Sequence, residues 1–164
     1  MIELQVLTSD DWRVWRDLRL AALAEAPYAF GSRLADWQGD GDREERWRAR
    51  LEIPGSRTFI AVLDGKPVGT ASGVPGSRSD AVELISMWVS AAARGHGVGD
   101  SLMRAVEEWA RQVRADVLEL AVTPGNEHAL ALYRRNGMTD TGQVGDALPG
   151  GQREHIMAKE LSSD

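Results

Sequence analysis

Met87-Trp-Val-Ser-Ala-Ala-Ala-Arg-Gly-His-Gly-Val-Gly-Asp-Ser101 runs from an apolar strand end, through a loop holding Gly95, Gly97 and Gly99, into a helical pattern. Glycine lets the backbone take positive φ and come close to a ligand. The N–H groups of a first helical turn have no intrahelical partner and carry the positive end of the helix dipole, so this arrangement is a phosphate cradle. Spacing decides which phosphate. A P-loop needs Gly-x-x-x-x-Gly-Lys-Ser/Thr, and counting from Gly95 puts Asp100 where the second glycine belongs. The dinucleotide fingerprint Gly-x-Gly-x-x-Gly also lands on Asp100, and it belongs in an opening strand-turn-helix unit rather than past the middle of the chain.

Outward from the loop, Val82 to Val89 reads as a central strand. After the loop, Val98, Leu102, Val106, Trp109 and Val113 recur at three and four residues, an apolar helix face that packs on a sheet. A strand over 117–123 and a helix over 126–135 follow, and residues 140–161 read as a closing pair of strands around a Gly/Pro-rich turn at 145–151. Upstream, Ile2 to Leu7 alternates as a strand, and Thr8-Ser9-Asp10-Asp11 supplies N-cap oxygens for a helix over about 9–25. Trp12, Trp15, Leu18, Arg19, Ala22 and Leu23 form its stripe, which ends before Pro27. Residues 27–40 read as a loop until Arg43 to Leu51 resumes a helical pattern around Trp47. Phe59 to Leu63 and Val68 to Val74 flank Asp64-Gly65, a strong hairpin signal. The order is mixed α/β (α+β), with residues 1–164 as a single domain and no internal repeat.

Length and composition fit one compact domain, expected in the cytoplasm. A chain of 164 residues can bury about 70% of its unfolded surface. Absence of cysteine removes disulfides, thiolate metal sites and a cysteine nucleophile. No signal peptide opens the chain and no apolar run approaches the roughly 18 residues of a membrane span, so neither membrane nor secretion is expected. A net charge of −6 argues against nonspecific nucleic-acid binding, which Lys and Arg drive. No His/Asp/Glu spacing points to a metal site. His128 and His155 are isolated, and His96 reads as a solvated side chain inside the loop.

Arg94, Gly97 and Gly99 resemble the Arg/Gln-x-x-Gly-x-Gly/Ala signature of the GCN5-related N-acetyltransferase (GNAT) superfamily. Further motifs follow in that family's order: the strand at 116–123, the Asn-led segment Asn126 to Arg135 containing Tyr133, and the Asn136-Gly137-Met138 turn. The resemblance is strong over about 58–140. It implies a mixed sheet of about six to seven strands with helices on both faces. The fourth and fifth strands would splay to admit acetyl-CoA as co-substrate, the pantetheine arm lying along Met87, Trp88 and Val89. The pyrophosphate would then meet the loop of Arg94, Gly95, His96, Gly97, Val98, Gly99, Asp100 and Ser101, with Asn126 on the pantetheine amide. Asp100 departs from the Arg or Lys frequent there; a carboxylate repels pyrophosphate, so its side chain is expected to point away. Family members often dimerise, although no feature here identifies an interface.

Acetyl transfer needs a base, because an ammonium with pKa near 10.4 costs about 4 to 5 kcal/mol to present neutral at pH 7. Glu83 lies four residues before Met87 and shares its face if no bulge intervenes. Its spacing also resembles the strand that carries the catalytic glutamate of the histone acetyltransferase branch. Acting through water, it would take the amine's proton; the plainer reading is a solvated residue paired with Lys or Arg. Tyr133 matches the family tyrosine that protonates the departing thiolate, its plainer reading being helix packing. For the acceptor, a small-molecule or peptide amine, the candidates are Tyr28, Phe30, Gly31, Ser32 and Trp37, with 143–151 as a second wall. An aromatic wall near acids suits a cationic amine, and simple hydrophobic packing remains the other reading. Rival functions are a non-catalytic acetyl-CoA sensor and a nucleotide-binding module.

Overall fold

Asp64 (φ 52°) and Gly65 (φ 83°) both take the left-handed backbone that a two-residue hairpin turn demands. They join β2 (Arg57–Leu63) to β3 (Lys66–Pro75) in a computed structural model that describes residues 1–25, 34–148 and 151–161. Around this hairpin lie β1 (Ile2–Leu7), β4 (Ala81–Val89), β5 (Val117–Val122), β6 (Thr139–Ala147) and β7 (Arg153–Glu160). The seven strands form one sheet in the order β1-β2-β3-β4-β5-β7-β6, antiparallel except for the parallel pair β4–β5.

Helices cover both faces. On one face are α1 (Trp12–Glu25) and α2 (Glu44–Leu51), whose Trp15, Leu18, Ala22 and Trp47 pack with Ile60, Val62 and Trp88. Thr8 opens this segment with the expected cap, its amide donating to Asp11 Oδ2 at 2.8 Å, and a single 3-10 turn over Ser9–Asp11 precedes α1. On the other face are α3 (Val98–Gln112) and α4 (Glu127–Arg135), over Val82, Leu84, Leu118, Leu120 and Val122. The α3 stripe is as expected through Trp109 and continues on Met103 and Ala110. Val113, by contrast, is half exposed, because the helix ends at Gln112 and Arg114 turns the chain at φ 63°. The Ala115 amide then bonds back to Ala110 O at 2.9 Å and the Arg114 amide to Arg111 O at 3.0 Å, a Schellman stop.

One local feature governs the site. Thr70 pairs with Trp88, but Ser72 pairs with Ile85, so β4 holds one residue more than β3 over this stretch. The extra residue is accommodated by Ser86 at φ 56°. Before the bulge Val82 and Leu84 face α3; after it Met87 and Val89 do, and Trp88 faces α1 and α2. Glu83 therefore lies on the face opposite Met87, and the expected shared face is corrected.

Candidate active site

β4 and β5 pair only from Ala81↔Val117 to Leu84↔Leu120, although both strands run on. Beyond Leu84 they part, and the gap opens into a groove of about 510 Å³. Met87, Trp88 and Val89 form one wall, and Asn126 and Tyr133 belong to the other. Across its end lies the loop, where Arg94, Gly95, Gly97, Val98, Gly99 and Asp100 line the groove, whereas His96 is exposed and off the wall.

The three glycines differ in what they do. Gly95 (φ +86°) and Gly97 (φ +81°) take the left-handed backbone, and a Cβ on either would meet nothing within 4 Å, so open space faces them. Gly99 instead allows helix packing: its Cβ would stand 3.1 Å from Leu132 of α4. The first intrahelical amide bond of α3 is Ser101 N–H to Gly97 O at 3.0 Å, which occupies Ser101 and leaves the amides of Val98, Gly99 and Asp100 before it. An open concavity, unused amides and a helix N-terminus together fit an anionic group.

Asp100 does not undo that fit. Its carboxylate accepts from Arg135 Nε and Nη2, both at 3.1 Å, and from Asn136 Nδ2 at 2.9 Å. The Arg135 hydrogen bond holds its pKa below the usual carboxylate value. Arg135 therefore supplies the balancing charge, while Arg94 is paired with Glu25 of α1 at 2.9 Å. Asn126 caps α4, its Oδ1 accepting from the Ala129 amide at 3.4 Å. Burial pushes the Tyr133 phenol up to about 12, so it is a neutral donor throughout the physiological range. His128 and Arg135 also line the groove, and neither was singled out by spacing.

Across the sheet, Glu83 stands beside its register partner Glu119, with Glu154 and Asp146 of the closing hairpin near enough to act on it. Burial first, and then the negative charges of Glu119, Glu154 and Asp146, raise its pKa. Among the described residues Glu83 forms no ion pair, unlike the solvated, paired residue of the plainer reading. Glu119 is itself fixed by the Ser77 amide at 2.7 Å and hydroxyl at 3.1 Å. Trp37 packs against Trp47 with ring centroids 4.8 Å apart, and Arg46 lies 3.9 Å above it, so packing occupies this ring. Tyr28, Phe30, Gly31 and Ser32 lie outside the described residues. Sequence reasoning missed Arg50, which donates to Ser86 Oγ at 2.9 Å and lies over the Trp15 ring at 5.0 Å.

Among the described residues no three His, Asp or Glu side chains are placed to hold a metal ion, and no helix is long and apolar enough to cross a membrane.

The streptothricin acetyltransferase of Streptomyces lavendulae is 35% identical over 104 residues, 63% of this chain and 55% of that protein. This chain therefore spans about half the length of that relative. An acetyltransferase of the GNAT family from Streptococcus pneumoniae superposes with a TM-score of 0.81 at 19% identity, over 99% of this chain and 100% of that one. The Salmonella typhimurium protein yncA, solved with its cofactor acetyl-CoA, gives 0.77 at 21% identity, over 99% and 95%. The model described as "Acetyltransferase (GNAT) family" matches residues 15–138, the span that carries the bulged strand, the glycine loop and the tyrosine helix, and the chain belongs to that family.

Proposed function

We propose that this chain is an acetyl-CoA-dependent N-acetyltransferase that acts on a primary amine by direct attack in a ternary complex. The observation that carries the reading is the open glycine cradle at the head of the groove where β4 and β5 part, with Tyr133 on its wall. A groove of this shape holds an extended ligand with an anionic end, and Val98, Gly99 and Asp100 offer their amides to that end. The open edge of β4 beyond Leu84 offers backbone groups to a pantetheine arm. When bound, acetyl-CoA supplies a thioester whose carbonyl carbon is the electrophile.

Donor and acceptor approach from opposite faces of the sheet. The bulge turns Met87 and Val89 toward the donor and leaves Glu83 on the side of α1 and α2, where the acceptor enters. Glu83 takes the amine's proton through water, and its raised pKa makes it a better base than an ordinary carboxylate. As the C–N bond forms and the C–S bond breaks, Tyr133 donates a hydrogen bond to the sulfur. A phenol at about 12 facing a thiol near 8.5 stabilises the forming thiolate without surrendering its own proton. A chain without cysteine suits the reducing cytoplasm, where we place the activity.

Thermal shift with acetyl-CoA, NAD and ATP, followed by thiol release over an amine panel, tests this. Stabilisation by acetyl-CoA alone with amine-dependent thiol release is expected. Stabilisation by NAD or ATP instead would return the loop to nucleotide binding, and acetyl-CoA binding with no turnover on any amine would leave a sensor.

A further inference from the structure

The layer between β4 and the helices α1 and α2 contains polar groups that packing alone does not explain. Arg19 of α1 and Arg50 of α2 are both largely buried, and burial lowers each guanidinium to about 10, with the positive charge of Arg50 also acting on Arg19. Besides its bond to Ser86 and its contact with Trp15, Arg50 keeps Nη1 buried without an acceptor. The indole N–H groups of Trp15 and Trp88, in the same apolar cluster, are buried without acceptors too. Indole and guanidinium donate and cannot accept, so these groups cannot satisfy one another. Among the described residues, Arg50 Nη1 and the two indoles find no acceptor, and a carboxylate brings two oxygens that match the guanidinium fork.

Position adds direction. Ser86, the residue Arg50 holds, is the bulge itself, immediately before Met87 and Trp88 of the donor groove. Glu83 sits three residues earlier on the strand, roughly 10 Å of backbone away, among carboxylates. The acceptor side of β4 thus has an acidic end and a cationic end at the spacing of a small zwitterion and a bridging water. We infer that the acceptor is a small amino acid, its carboxylate received by Arg50 and its amine directed toward Glu83. Arg50 keeps part of its side chain at the surface, so an incoming carboxylate meets its guanidinium before it meets the buried donors.

This inference rests on acetyl transfer, and the experiment separates the two. Acetyl-CoA binding is measured by calorimetry. Thiol release is then followed with the standard α-amino acids, each beside its carboxamide and its decarboxylated amine. At least one amino acid is expected to exceed both of its partners in kcat/KM by about 30-fold. In Arg50→Met that preference shrinks to about threefold with the KM for acetyl-CoA unchanged, and Arg50→Lys restores part of it. If acetyl-CoA does not bind, the transferase reading falls and this one falls with it. If acetyl-CoA binds and amines are acetylated, but the wild-type protein uses decarboxylated amines or carboxamides as well as amino acids, only the present inference is overturned. That comparison needs no variant, so a misfolded Arg50→Met protein does not blunt it; a folded one that keeps the preference also overturns it.

Discussion

The two faces of β4 are built by different means. On the side of α3 and α4 the groove is largely backbone: Gly95 and Gly97 at positive φ, the amides of residues 98–100 and an open strand edge. On the side of α1 and α2 the surface is made of side chains gathered from distant elements, Glu83 and Glu119 from adjacent strands, Glu154 and Asp146 from the closing hairpin, Arg50 from α2. A backbone site is specified by conformation and tolerates charge: Asp100 sits at the cradle because Arg135 and Asn136 occupy its oxygens. A side-chain site is specified by burial and field, since burial and then Glu119, Glu154 and Asp146 raise the pKa of Glu83, and burial and then Asp146 that of Glu154. Substitutions on the first face should therefore act on binding, and on the second on turnover and its pH profile.

Gly97→Glu gives the largest contrast. A side chain at φ +81° is strained by about 1 to 2 kcal/mol, and the new carboxylate enters the open space proposed to take the anionic end of acetyl-CoA. Acetyl-CoA affinity, titrated by calorimetry, is expected to fall by about 100-fold or more. Near-native affinity would break the claim that this face is built from backbone. On the opposite face, Glu83→Gln should lower kcat/KM at pH 7 by about 100-fold while acetyl-CoA affinity stays within about twofold. A parallel loss of acetyl-CoA affinity would show the two faces to be coupled.

The same contrast explains what the sequence revealed. Glycines at positive φ, a helix beginning just behind them and an asparagine cap are needed at nearly consecutive positions, so the donor groove is written as a motif and its elements fall within a residue or two of expectation. Hairpin and helix periods were equally legible, down to Asp64-Gly65. The acceptor face has no such signature. Its carboxylates lie on four strands whose pairing only the folded sheet establishes, and one bulge at Ser86, carried by a residue with no special preference for positive φ, reverses which side chains share a face. One signal was present: Arg19 sits inside the apolar stripe of α1 between Leu18 and Leu23, and a charge in such a stripe marks either a buried partner or a ligand. Arg50 carried no comparable mark, ending a helix in which Arg48 and Arg46 alternate with it.

Tyr133 sharpens the comparison because it stands on the donor wall yet is assigned to turnover. Tyr133→Phe removes only the hydroxyl from a buried ring, so acetyl-CoA affinity should change by no more than about threefold while kcat falls by about 10-fold or more. Steady-state kinetics beside calorimetry separates the two. Full activity would return Tyr133 to packing between α4 and the sheet; lost affinity with kcat intact would make it a binding residue like the glycines.

The smallest effect tests the field on the acceptor face. As the proposed base, Glu83 must be ionised to accept a proton, so kcat/KM is expected to rise with pH through its pKa, which burial and then Glu119, Glu154 and Asp146 hold above the ordinary carboxylate value. Glu154→Gln removes one of those charges from a residue that forms no part of the donor groove, so the acidic limb should slide to lower pH with its plateau unchanged. Raising the salt concentration, which screens the same repulsion, should move the limb the same way and less so in the variant. Stability carries the matching signature. A carboxyl that holds its proton more tightly when folded favours the native state below its unfolded pKa, and that contribution is lost as pH rises through the raised folded value. Glu83→Gln should then melt above wild type near neutral pH and converge with it in acid. An acidic limb indifferent to both Glu154→Gln and salt would mean that burial alone sets the base, leaving the neighbouring carboxylates to act on the acceptor rather than on Glu83.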